Sequence, residues 1–244
     1  MLNLLRLVLC LNLLLLQACQ QKYTLNQEGT IKAAKQNNAA LYNTQLGLAY
    51  LKQGDIPRAK RKLLRALDIE PNSADVNAAL AYFLEKTGDL KEARNYFKKA
   101  LSLAPGNGAQ LNNYGSYLCR YGDYKEAERY FLNAVKDVHY VHTAGAYENA
   151  GLCAAAIPDY PKALQYFNQA LKHDPQRKQS LYELVRIELK QNHAEKALAY
   201  MKTYSKLTLN DSALLTLAGE AAHRLGKSKI EEAYKLRLKN LNNF

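Results

Sequence analysis

The sequence predicts an all-α protein, a solenoid of about six helical hairpins. Two observations carry this. The chain is rich in Leu, Ala and Lys, has no Trp, and contains only 12 Gly and 6 Pro among 244 residues; Ala, Leu and Lys are strong helix formers. Small residues, Gly-Asp pairs and prolines also return at a fixed spacing of 34 residues. A period of that length means one supersecondary unit repeated and stacked. A hydrophobic fraction of 48% excludes wholesale disorder.

The clearest unit, 40–73, carries Leu46-Gly47, Tyr50, Gly54-Asp55, Ala59, Leu63, Ala66-Leu67 and Pro71. Adding 34 gives Leu80-Ala81, Gly88-Asp89, Ala93, Phe97, Ala100-Leu101 and Pro105 for 74–107. Adding 34 again gives Tyr114-Gly115, Gly122-Asp123, Ala127 and Phe131 for 108–141. Each position has a physical task. Gly47, Ala81 and Gly115 let the two helices of a hairpin approach. The glycine of each Gly-Asp pair ends the first helix in a left-handed conformation. Pro71 and Pro105 close the second helix. His142-Thr143 then shifts the register by two residues. The fourth unit, 144–177, puts Pro158 in the turn usually held by Gly. The fifth, 178–211, lacks the closing motif, and the sixth, 212–244, keeps Ala218-Gly219 and Gly226. The array resembles the tetratricopeptide repeat, which implies a superhelix with a groove lined by first helices.

Residues 1–18 read as a signal peptide: Arg6, then an apolar run from Leu7 to Leu16 broken only by Asn12. About ten apolar residues are too few to span a bilayer. The run ends Leu16-Gln17-Ala18-Cys19, which resembles the bacterial lipobox. That likeness implies lipidation of Cys19 and cleavage before it. Two or three acyl chains anchor stably where one is marginal. Gln20, rather than Asp, implies export to the outer membrane, on its periplasmic face. Residues 19–39, polar and weakly periodic, read as the lipidated N-terminus and a tether, and 40–244 as the repeat domain.

The formal net charge is +12, which favours acidic partners. A periplasmic location removes nucleic acid from consideration. Among His139, His142, His173, His193 and His223 only the first two are close, and no further ligand completes a metal site. The histidines read as solvated loop residues. Phosphate loops and nucleophile elbows are absent from the sequence. The acidic pair Glu231-Glu232 reads as a solvated face. The expectation is a non-enzyme with no cofactor and no metal.

Cys119 and Cys153 fall late in the first helices of the third and fourth units. In an oxidising compartment they would form a disulfide; the alternative is two buried free thiols serving as small apolar residues. The expected groove residues are Tyr82 in the second unit, and Asn112, Asn113, Ser116 and Arg120 in the third. Glu148 and Asn149 follow in the fourth, and Tyr182, Arg186 and Lys190 in the fifth. Asn amides both donate and accept, which suits an extended peptide backbone. Tyr and Arg are common interface anchors. Thr44 and Leu48 stand where a carboxylate clamp would need Lys and Asn, so capture of a free C-terminus is not implied.

The lipobox, the six repeats, the stretch Leu111-Asn-Asn-Tyr-Gly115 through Leu118-Cys119, and Tyr147-Glu-Asn-Ala-Gly-Leu-Cys153 together resemble the type IV pilus biogenesis lipoproteins of the PilF/PilW family. The resemblance implies an outer-membrane lipoprotein that binds the pilus secretin or other pilus assembly proteins and supports secretin localisation or assembly. The alternative is a periplasmic adaptor lipoprotein for outer-membrane protein assembly or cell-wall enzymes.

Overall fold

The structure is a computed structural model that describes residues 38–242. The signal segment, Cys19 and the tether up to residue 37 lie outside the described residues. The tether expectation ran to residue 39, but Asn38 and Ala39 already belong to the first helix. Among the described residues all regular structure is helical.

Two compact units are present, one ending at Leu103 and one starting at Ala104. The first contains α1 (38–52), α2 (Ile56–Ile69), α3 (Ala74–Thr87) and α4 (Leu90–Leu103). The second contains α5 (Gly108–Arg120), α6 (Tyr124–Ala134), α7 (Thr143–Ala156) and α8 (Tyr160–His173). It continues with α9 (Lys178–Lys190), α10 (Ala194–Thr203), the single turn α11 (Ser205–Thr208), α12 (Ser212–Arg224) and α13 (Ser228–Asn242).

The Gly-Asp pairs work as helix punctuation at both ends. Gly54, Gly88 and Gly122 have φ of 78°, 94° and 87°, the left-handed region that closes a first helix at little cost only for Gly. In the first two pairs the Asp then caps the second helix: Asp55 accepts from the Arg58 N–H, and Asp89 from that of Glu92. Asn192 replaces Gly in the fifth hairpin at φ 61°, a conformation Asn tolerates. Pro158 occupies the same turn at φ 24°, which its ring opposes.

Packing inside each hairpin follows the small-residue positions. A Cβ added at Gly47 would sit 2.6 Å from Leu63 Cγ. At Gly115 and Gly151 it would meet Phe131 and Phe167 at 2.9 and 2.7 Å. The bare backbone therefore receives a large side chain from the second helix. Ala59, Ala93, Ala127, Ala163 and Ala197 are all 0% exposed. Leu181, Leu184, Ile187, Met201, Leu214 and Leu215 extend the core through the later hairpins of the second unit.

Four features depart from the sequence expectation. The long loop between α6 and α7 folds back on α5: Asp137 accepts from the backbone N–H groups of Gly108 (2.8 Å) and His139 (3.0 Å). The fifth hairpin is followed by α11, where buried Thr208 donates to the Met201 carbonyl at 3.0 Å. Glu231 is not on a solvated face. Its side chain is 15% exposed and paired with His223 and Lys235, whereas Glu232 is exposed. Nor are all the histidines in loops, since His173 closes α8 and His223 lies on α12.

Candidate protein-binding site

The first helices α5, α7 and α9 of the second unit present neighbouring polar faces. Asn107 starts α5 by accepting from the N–H groups of Ala109 and Gln110, which fixes the rotation of Asn112, Asn113 and Ser116. Asn149 on α7 donates from Nδ2 to Asn112 Oδ1 at 2.9 Å and to Ser116 Oγ at 3.4 Å. Its neighbour Glu148 turns the other way, toward α9, and accepts from Arg177 Nη1 (3.0 Å) and Ser180 Oγ (2.8 Å). One turn of α7 thus ties three first helices together through two adjacent side chains.

These residues line a cleft of about 310 Å³, with Asn112, Asn113, Glu148 and Asn149 joined by Tyr140, His142 and Arg177. Asn113 is exposed at its edge. Burial pushes the Tyr140 hydroxyl above its ordinary pKa, with Arg177 partly offsetting it. The two N–H donors, Gly108 first and His139 second, hold the Asp137 carboxyl below its ordinary pKa. The surface offers amide donors and acceptors, a guanidinium and an aromatic edge, chemistry suited to an extended polypeptide.

Below this face Cys119 and Cys153 are joined, with Cα atoms 5.8 Å apart, linking α5 to α7. The second helices carry their own tie. Lys162 Nζ lies 2.9 Å from Glu128 Oε2 on α6, and the Tyr166 hydroxyl donates to the other oxygen of Glu128. Burial pushes the Glu128 pKa up, but the hydrogen bonds from Lys162 and Tyr166 outweigh it and leave the group below its ordinary value.

Of the residues singled out in the sequence, Asn112, Asn113, Ser116, Glu148 and Asn149 come together here. Glu148 is turned inward as a brace, its side chain only 13% exposed. Arg120, Tyr182, Arg186 and Lys190 lie outside this cleft. Arg186 bonds Glu183 (2.8 Å), and Lys190 Nζ stands 5.3 Å from the Tyr160 ring centre. Tyr82 belongs to the first unit, where Lys86 Nζ is 5.3 Å from its ring centre. Tyr140, His142 and Arg177 were not read as groove residues. The first two lie in the long α6–α7 loop, where the register breaks, and no periodic signal marks Arg177 reaching back to Glu148. Among the described residues no cluster of three metal-ligating side chains occurs, and no helix is long and apolar enough to cross a membrane.

Residues 44–108 and 115–178 match one tetratricopeptide repeat family model, and residues 159–221 match a second. The chain is similar to the solved structure of PilF from Pseudomonas aeruginosa, 29% identical, with a TM-score of 0.70 over 85% of this chain and 93% of that one. It is similar also to PilW, a widely conserved type IV pilus biogenesis factor. That structure is 26% identical, with a TM-score of 0.67 over 84% of this chain and 94% of that one. MamA, at 18% identity and a TM-score of 0.54 over 66% of this chain and 94% of that one, shares the fold alone. No curated protein sequence matches. Matched by repeat models over more than half its length, the chain belongs to the tetratricopeptide repeat family.

Proposed function

We propose that this chain is a periplasm-facing lipoprotein of the outer membrane, anchored through Cys19, that binds the type IV pilus secretin and promotes its localisation or assembly. The observation that carries this reading is the likeness to PilF and PilW over most of the chain. The lipobox at Leu16–Cys19 supplies the anchor. The polar cleft on α5 and α7 supplies a contact surface for polypeptide, and the role is that of a scaffold.

The test is an affinity pull-down from detergent-solubilised membranes, read by mass spectrometry, comparing the wild type with Asn112→Ala/Asn113→Ala. The expected result is a secretin recovered by the wild type and lost from the double variant. Recovery of outer-membrane assembly factors or cell-wall enzymes, with no secretin, overturns the pilus reading and leaves a general adaptor.

A further inference from the structure

The basic charge of the chain is unevenly placed. Within eight residues α2 carries Arg58, Lys60, Arg61, Lys62 and Arg65, against the single carboxylate Asp68 near its end. The second helix of the third hairpin, α6, balances two Lys and Arg with two Glu. At the register position of Lys60 it has Glu128. In the same unit as α2, α4 carries four Lys and Arg against Glu92, and α1 adds Lys52 with no acid.

Helical spacing fixes where these charges point. Ala59, Leu63 and Ala66, all 0% exposed, turn the apolar stripe of α2 into the hairpin. Lys60, Arg61 and Arg65 lie away from that stripe and are exposed. Arg58 is already engaged: it pairs with its cap Asp55 and lies 4.7 Å from the centre of the Tyr50 ring. Asp55 also feels the charge of Arg61. Lys60, Arg61, Lys62 and Arg65 make no ion pair among the described residues. Arg61 and Arg65, one turn apart, repel each other, a cost that an anionic surface removes. Ile56 and Leu64, 37% and 40% exposed, stand one turn to either side of Lys60. An exposed row of cations flanked by aliphatic side chains is the composition of a helix face that lies on an anionic lipid surface.

Place decides the partner. Asn38 follows Cys19 by 19 residues, and a flexible chain of that length has an end-to-end distance of about 25 Å. The intervening sequence is basic too, with Lys22, Lys32 and Lys35 against Glu28. An acyl anchor at Cys19 keeps the first hairpin beside the bilayer at high effective concentration, an advantage that a partner in solution lacks. We infer that the exposed face of α2 docks on anionic phospholipid headgroups and seats the first hairpin on the membrane. The inference rests on the anchor of the proposed function for its reach, and not on the secretin.

The test uses the full chain, purified in detergent and reconstituted into two kinds of vesicle. One is phosphatidylcholine alone, and the other is phosphatidylcholine mixed with phosphatidylglycerol. Acetylation by a water-soluble reagent, read by mass spectrometry, reports access to Lys60, with exposed Lys172 and Lys196 of the second unit as references. Lys60 is expected to react about five-fold more slowly on the anionic vesicles, the factor that one cation contributes at such a surface. High salt should restore its rate. Arg61→Gln/Arg65→Gln keeps good helix formers in α2 and should lift the protection with an unchanged circular dichroism melt. Equal Lys60 rates on the two vesicles, or undiminished protection in the folded variant, overturns the inference. Protection in native membranes but on neither vesicle overturns it too, since the occupant is then a protein. The intact mass shows separately whether Cys19 is acylated. Protection without acylation supports docking by α2 while the anchor reading falls, and an acylated chain with equal rates loses the docking and keeps the anchor.

Discussion

Within the second unit, the third and fourth hairpins are held together differently from the fifth and sixth. The earlier pair is cross-linked at three levels: the Cys119–Cys153 bond and the Asn149–Asn112 contact between first helices, and Lys162 and Tyr166 on Glu128 between second helices. The later pair relies on aliphatic packing of Leu181, Leu184, Met201 and Leu214. Its polar contacts include Arg224 donating to the Leu189 carbonyl (2.6 Å), Arg237 donating to that of Leu209 (2.8 Å), and the Lys178–Asp211 ion pair (3.4 Å). Cations at helix C-termini are favourable but local. The lesson is that one repeat pattern supports two kinds of interface. A rigid one fixes side chains across neighbouring helices, and a looser one ends in a hairpin whose inner position is charged.

The largest expected effect comes from breaking the covalent link. Cys119→Ser/Cys153→Ser, or a reductant acting on the wild type, closes no loop across the separation of 34 residues. It should cost about 3–4 kcal/mol in the chain-entropy model, seen as a lower denaturant midpoint. An unchanged midpoint would mean that the two hairpins are held by their non-covalent contacts, as the later pair is.

A smaller effect is expected at Asn149→Ala, which removes the donor to Asn112 and Ser116. The loss should be about 1 kcal/mol, with a double-mutant cycle against Asn112→Ala showing coupling between the two sites. Additivity would mean that the Asn contact does not brace the first helices.

The smallest effect is a pH dependence. Asp137 and Glu128 have lowered folded pKa values. Their stabilisation is present above the unfolded carboxylate pKa and is lost as pH falls through the folded one. Asp137→Asn should therefore flatten the acid side of the melting-temperature profile, most of the change falling at and below the ordinary Asp pKa. An identical profile would show that the α6–α7 loop does not depend on this carboxylate.

Much of the architecture is legible because packing in a repeat is periodic. Gly47, Gly115 and Gly151 needed only their register to predict close approach, and Leu63, Phe131 and Phe167 fill the space opposite them. The Asn112, Asn113 and Asn149 grouping was legible for the same reason. What escaped the reading has no periodic signature. Asp137 reaches Gly108 because the long α6–α7 loop folds back, and Arg177 reaches Glu148 across 29 residues. Glu231 looked like ordinary helix surface until its place in the register put it at the position of five buried alanines.

By itself, the sequence determined the helical class, the hairpin count, the turn chemistry and the family, because each rests on residue type at a fixed local spacing. Only the tertiary structure decided which polar side chains meet, and that Glu148 is a brace turned inward. Those outcomes depend on side-chain direction and reach between helices, quantities that a one-dimensional period does not encode.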